Sequence, residues 1–320
     1  MPTVGKFHNR SEDYNVYCLS FPGQGSQKPH MFQDLPDHPV VRKVFEEASD
    51  ELDESVYLWD VESKLSSTIA VQICLLVSGV ASARVLKEKS ALPDFVAGHS
   101  VGTFGAAVVA GALEFKDAVR LVRMRGEWME QSFKKGYGMG VVTGLDERQL
   151  NGLIDEHNQN ERSIYLANLN SSRQMTIAGS LPELRRFMEI AIANHAQKAE
   201  LLNVAVPSHC SLLNELSLKL EAELDRLSVK DPDIPYAGNL RGRVLRRGEA
   251  IKKDLAWNVS HSVHWHEATS LLYELGARLF VEMLPGNVLT RLADDAFPEA
   301  RAISISDDGS DTAAILVNRL

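Results

Sequence analysis

Two rhythms of apolar positions alternate along the first third of the chain. VYCLSF (16–21) is a short continuous apolar run, the signature of a buried strand, and it opens into a glycine-rich turn, PGQGSQ. Apolar residues then recur every three or four positions from Val40 to Asp50 and again from Thr68 to Leu86, which predicts two helices. A second short run, FVA (95–97), delivers Ser100, and the pattern after it predicts helices over 101–112 and 116–132. Buried strands separated by helices predict an α/β fold, with a parallel sheet covered on both faces.

The middle of the chain has a different order. GMGVVTGL (138–145), SIYLANL (163–169), QMTIAG (174–179) and AELLNVAV (199–206) read as strands. ERQLNGLIDEH (147–157) reads as a helix, and a second one starts after Ser180, which stands three residues before Glu183 in capping-box spacing. The order βαββαβ is that of a ferredoxin-like unit. It divides the chain into a core, 1–136 and 207–320, and an inserted subdomain, 137–206. After Pro207 helices and strands resume, with loops expected at DPDIPYAG (231–238) and SDDGSD (306–311).

Composition narrows the classes. The 320 residues are 44% hydrophobic and 24% charged, an ordinary globular balance that argues against disorder. A net charge of −9 gives no general attraction to nucleic acid. Three separated cysteines form neither a disulfide framework nor a CxxC pair, which fits a reducing cytoplasm. MPTVGKFHNRSEDYN (1–15) lacks the apolar centre of a signal peptide. The most apolar stretch, 69–86, is interrupted by Gln72, Ser78, Ser82 and Arg84, so it reads as a buried helix rather than a membrane span. The expectation is a cytoplasmic protein with no nucleic-acid or membrane partner.

Candidate chemistry centres on AGHSVG (97–102). GxSxG between a strand and a helix is a nucleophile elbow: the sharp turn lifts the serine hydroxyl out of the sheet, and glycine removes side chains that would meet neighbouring backbone. Ser100 is therefore the candidate nucleophile, and it needs a base. His209, in VPSHC after a strand end, is the best placed of ten histidines, although a histidine there also suits a purely structural role. His261, His264 and His266 lack the carboxylate or cysteine company of a metal site, so no metal is expected. Cys210, beside the candidate base, reads as packing. Arg125 shares a helix face with Ala118, Leu121, Val122 and Met129, whereas Arg120 and Arg123 point elsewhere. A guanidinium on a buried stripe needs an anionic partner, either a structural carboxylate or a substrate's. Residues 241–253, RGRVLRRGEAIKK, carry six basic side chains against Glu249, and Arg246 and Arg247 are candidates for docking an anionic partner or simply a solvated surface.

FPGQGSQ, AGHSVG, VRMRG, VPSHC and MLPGNVLT stand in one order and spacing that resembles the malonyl-CoA:acyl-carrier-protein transacylase family, from Tyr17 to the last helices. The resemblance implies an α/β-hydrolase-like core with a ferredoxin-like insertion. It implies Ser100 as nucleophile and His209 as base, the latter oriented by the backbone carbonyl of Asn258, where asparagine replaces the commoner glutamine. It further implies an oxyanion hole from the backbone N–H groups of Gln24 and Val101, and Arg125 as the clamp for a malonyl carboxylate. GHSVGTF in place of the usual GHSLGEY, together with LPDHP, SSTIAVQ and WHEAT, is more similar to the malonyltransferase (epsilon) subunit of malonate decarboxylase. The implied reaction is malonyl transfer from malonyl-CoA, through a seryl ester, to the thiol of a carrier-borne prosthetic group, with no bound cofactor. The partners are CoA thioesters and an acyl carrier protein; the malonate decarboxylase carrier is the expected acceptor, and the carrier of fatty-acid synthesis is the alternative. The rivals are a serine hydrolase with water as acceptor and a non-catalytic carrier-docking subunit.

Overall fold

The computed structural model describes residues 16–133, 136–204 and 206–320. The signal-peptide reading of residues 1–15 and position 205 of the fourth expected subdomain strand lie outside them. The chain opens with β1 (Val16–Phe21), α1 (Pro39–Leu52), α2 (Thr68–Lys89), β2 (Phe95–Gly98), α3 (Gly102–Val109) and α4 (Phe115–Ser132). A smaller unit follows, made of β3 (Tyr137–Thr143), α5 (Glu147–His157), β4 (Ile164–Ser171), β5 (Gln174–Ser180), α6 (Leu181–Ala193) and β6 (Lys198–Leu201). The chain then returns through α7 (Asn214–Leu224), β7 (Tyr236–Ala237), β8 (Val244–Leu245), α8 (Gly248–Trp257) and α9 (Trp265–Glu274). It closes with β9 (Ala277–Glu282), α10 (Val288–Ala296), β10 (Arg301–Ser304) and α11 (Ile305–Val317).

Six strands form the main sheet in the order β10-β9-β1-β2-β7-β8, parallel except for the hairpin partner β8. Both faces are covered, and side chains alternate between them. Tyr17, Leu19 and Phe21 of β1 enter one core with α2, α3 and α4, while Cys18 enters a second with Trp265 of α9 and Leu289 and Leu292 of α10. The helix α2 is long and apolar enough to cross a membrane, but 89% of its apolar window is buried inside the protein. β1 is flanked by β2 on one side and β9 on the other, so the strand order reverses there, and the carboxyl ends of these strands frame a crevice suited to a ligand.

The smaller unit has the expected βαββαβ order and forms a separate antiparallel sheet, β4-β5-β3-β6. One face packs on α5 and α6 through Val142, Ile164, Ile177, Leu184 and Phe187. Asp146 and Gln149 close a full capping box at the start of α5, and the Ser180 hydroxyl accepts the Glu183 N–H at the start of α6. The small sheet meets the core where Leu169 N–H of β4 donates to Val263 O and Val263 N–H to Ala167 O, Val263 standing in the segment just before α9.

Three local expectations are corrected. β6 stops at Leu201 because the Val204 N–H turns back onto Leu202 O, which ends the ladder short of 206. The stretch 231–238 is not all loop, since Tyr236 and Ala237 pair with β2 as a two-residue strand. SDDGSD is largely helical within α11, started by the Ser304 hydroxyl accepting the Asp307 N–H and interrupted only at Gly309 (φ 80°).

Candidate active site

Ser100 stands two residues past the end of β2, after His99, and sits in the left-handed region at φ 56°. Such a turn brings backbone together, and the flanking glycines mark where. A Cβ on Gly98 would collide with the Thr103 N–H, and one on Gly102 with the Phe21 carbonyl. α3 lies so close to β1 that even at Gly105 an added methyl would come within 2.9 Å of the Phe21 ring. The density of glycine and alanine in 102–107 is thus the condition for the elbow to fit over the sheet.

Below the elbow stands Asn239, fully buried two residues past the end of β7. Its Oδ1 accepts the Ser100 N–H at 3.0 Å and its Nδ2 donates to Gly98 O at 2.7 Å. The Thr103 hydroxyl donates to Ser100 O at 2.6 Å and accepts from Asn258 Nδ2 at 3.0 Å. The strained serine is held from both sides.

His209 arrives from the opposite direction, on the segment returning from the small sheet, and also takes a positive φ of 60°. Its N–H is tied to Val259 O at 2.7 Å. Nδ1 lies 2.6 Å from Asn258 O and Nε2 lies 2.8 Å from Ser100 Oγ. A carbonyl can only accept, so Nδ1 carries the proton and Nε2 turns its lone pair to the serine hydroxyl. Burial, reinforced by the nearby Arg125 charge, lowers the imidazole pKa from 6.5 to about 3. At neutral pH it is a free base already hydrogen-bonded to a hydroxyl.

Arg125 enters from α4 with only 1% of its surface exposed. Its Nη2 donates to Ser100 Oγ at 3.4 Å, its Nε has no partner, and among the described residues no carboxylate pairs with it. Desolvation lowers its pKa to about 9, which leaves it charged at neutral pH. Arg120 and Arg123, on the other face, have half-exposed side chains that pair with Asp117 and Glu127. A buried cation with spare donors, aimed at a nucleophile, is a place for an anionic group.

A cavity of about 610 Å³ opens at these groups. Gly23–Gln27 and Val101 form one side, and the free face of the small sheet forms another through Val141, Asn168, Asn170 and Thr176. Among the described residues, neither the Gln24 nor the Val101 backbone N–H meets a protein acceptor. His99, lowered in pKa by burial, joins the two walls: its Nε2 is 3.0 Å from Asn170 Oδ1 and 3.2 Å from Asn168 Nδ2. Thr176 Oγ1 in turn donates to Asn168 Oδ1 at 2.7 Å.

Ser100, His209, the Asn258 carbonyl, Arg125, Gln24 and Val101 are brought together; Arg246 and Arg247 are not. They follow Leu245, which pairs with Tyr236, so they leave β8 at the end of the sheet away from Ser100, and Arg247 pairs with Asp231 at 2.9 Å. Cys210 is buried with Met139 and Ala178, and no metal-type cluster occurs among the described residues. Sequence reasoning missed Asn239, Asn168 and Asn170. Their signal was weak: asparagines within β4 or just after β7, with partners such as His99 and Ser100 far away in the chain.

A model of the acyl transferase domain matches residues 19–315. The chain is similar to the malonyl CoA-acyl carrier protein transacylase of Bacillus subtilis, with 34% identity over 90% of this chain and 92% of that relative. Among solved structures it is similar to FabD from Acinetobacter baumannii, with a TM-score of 0.89 and 31% identity over 95% of this chain and 98% of that one. It is equally similar to a malonyl-transacylase solved in complex with its type II PKS acyl-carrier protein, with a TM-score of 0.88 and 32% identity over 95% of this chain and 99% of that one. An elbow serine paired to a neutral histidine, on this fold and with this likeness along nearly its whole length, makes the chain an acyltransferase, and it belongs to the malonyl-CoA:acyl-carrier-protein transacylase family.

Proposed function

We propose that this protein transfers malonyl from malonyl-CoA to the phosphopantetheine thiol of an acyl carrier protein by a ping-pong route. The observation that carries the reading is the buried, carboxylate-free guanidinium of Arg125 beside Ser100 Oγ. Malonyl-CoA enters with its free carboxylate on Arg125, a contact acetyl-CoA cannot make. Ser100 Oγ attacks the thioester carbon as His209 Nε2 takes the hydroxyl proton, and the Asn258 carbonyl steadies the imidazolium through Nδ1–H. The Gln24 and Val101 N–H groups hold the oxyanion, a contribution of about 3 kcal/mol per donor. The C–S bond breaks, His209 returns the proton to the CoA sulfur, and the malonyl-seryl ester remains. The carrier thiol then gives its proton to His209, attacks the ester carbon and releases Ser100 with its proton restored. No bound cofactor takes part.

In this reading 1–136 with 207–320 is the catalytic core and 137–206 an inserted subdomain that closes the cavity. Three buried, unpaired cysteines fit work in a reducing cytoplasm.

A malonate decarboxylase carrier is the second reading, favoured by GHSVGTF. Thr103 and Phe104 of that motif are fully buried under the elbow, where Thr103 braces Ser100 and Asn258. They do not face an acceptor, and the relatives above are carrier transacylases, so the fatty-acid-type carrier is the primary reading. The test is competition between the two carriers for a limited pool of malonyl-enzyme. Preferential loading of the phosphopantetheine carrier is expected, and preference for the decarboxylase carrier would transfer the assignment. Hydrolysis outrunning both would make the protein a hydrolase.

A further inference from the structure

Glu282, the last residue of β9, is 1% exposed and paired on both sides, opposite Ser20 of β1 and Ser304 of β10. Its Oε2 accepts two bonds from Thr290, the N–H at 2.7 Å and the hydroxyl at 2.8 Å, while its Oε1 is buried without a partner. Burial raises its pKa to about 7, against the opposing bonds from Thr290 and Leu289. A carboxyl so placed costs stability, and an apolar residue of that size would be the less expensive filling.

What it holds is the first turn of α10. The residue in the N-cap position, Asn287, makes no side-chain capping bond, and its Nδ2 donates to Asp307 at 2.6 Å. The carboxylate reaching across from the sheet takes over that role, anchoring the positive end of the helix to the centre of the fold. The anchored turn is a cavity wall: Val288, Leu289 and Leu292 line the same space as Gly23–Gln27. Between them Gly286 lies so close to the glycine-rich turn that an added Cβ would stand 3.2 Å from Ser26 Cβ.

We infer that Glu282 is a positioning residue for acyl transfer: by capping α10 from the sheet it fixes the 283–287 loop against Ser26 and so sets where the Gln24 N–H meets the developing oxyanion. The inference rests on the acyl-transfer reading above. It predicts an effect on the rate of the chemical step and little on malonyl-CoA binding, since Arg125 stands on α4, outside this chain of contacts.

The experiment is single-turnover acylation of Ser100 by malonyl-CoA, normalised to folded protein, in the full chain. Glu282→Ala should lower the acylation rate constant by about tenfold or more while changing the half-saturating malonyl-CoA concentration less than about twofold. Glu282→Gln, whose amide oxygen still accepts both Thr290 bonds, should recover most of the rate. Thr290→Val, which removes one of those bonds, should fall between them and is the deciding variant if Glu282→Ala does not fold. An unchanged rate constant in either of these disrupting variants, or a loss confined to half-saturation, overturns the inference. Failure of the acyl-transfer reading itself would look different, as no adduct in the unsubstituted protein.

Discussion

The main sheet and the small sheet contribute different things to one cavity. The main sheet is buried on both faces; Ser100 sits strained in the turn at its carboxyl edge, and the buried charge of Arg125 reaches it from α4 through dense packing. The small sheet buries one face on α5 and α6 and turns the other to the cavity, presenting the amides and hydroxyl of Asn168, Asn170 and Thr176 beside His99, with Lys198 and Glu200 of β6 on the same lining. In the proposed mechanism the bond-making groups stand on the core side of the cavity, and the antiparallel sheet is a wall that fixes its shape and excludes water. Substitutions on the two sides should therefore fail in different ways.

The largest expected effect is on the bond-making side. His209→Ala removes the base and should slow acylation by about 10²–10⁴-fold at neutral pH without loss of fold, as read by quenched-flow acylation and circular dichroism. Retained acylation would place the base elsewhere. Arg125→Ala comes next: it should cost malonyl-CoA about 2–4 kcal/mol in kcat/KM, roughly 30- to 1000-fold, and acetyl-CoA far less. Equal losses for both substrates in folded protein would make Arg125 a structural residue.

On the wall side the expected loss is mainly one of stability. Asn168→Ala strands Thr176 and one side of His99, and should lower unfolding free energy by about 1–3 kcal/mol with a smaller effect on the acylation rate. Denaturant titration beside the rate assay checks this, and a rate loss exceeding the stability loss would move the wall into the chemistry.

The pH response sharpens the contrast further. Because His209 stays neutral down to about pH 3, acylation kcat/KM should show no limb near 6.5 and stay flat from pH 8 to 5. Stability moves in the corresponding sense. The unfolded chain takes up this proton near pH 6.5 and the folded one only near 3, so the contribution is full above 6.5 and declines as pH falls toward 3. A rate limb at 6.5 would show that His209 is less buried in solution. The smallest effect is expected from reversing Arg246 and Arg247 to Glu, which should leave Ser100 acylation unchanged and carrier turnover within about twofold, since exposed charges far from the mouth act weakly.

The main sheet was the more legible of the two in the sequence. Doubly buried strands leave unbroken apolar runs such as VYCLSF, and an elbow leaves Gly98 and Gly102 because no other residue fits. The small sheet's order was readable too, because its strands and helices are joined by short, well-marked turns. What escaped were features set by distant contacts. β7 is two residues long and is defined by its pairing with β2 and β8, and Asn239 and Asn168 acquire meaning from Ser100 and His99, far away in the chain. The helical turn in SDDGSD was hidden by its composition: serine and aspartate suit a loop, but Ser304 is a cap and the aspartates favour a helix start. Arg125 was readable as buried, yet its partner was open, because periodicity places a side chain on a face and does not say what it meets there.

In the proposed mechanism Ser100 carries malonyl beside Arg125. Intact-mass and peptide-mapping mass spectrometry after brief mixing with malonyl-CoA, and in parallel with acetyl-CoA, reads this adduct. One malonyl group is expected on the peptide containing Ser100, little acetyl adduct under the same conditions, and none of either in Ser100→Ala. An undiminished malonyl adduct in Ser100→Ala, or equal labelling by the two thioesters, would overturn the mechanism.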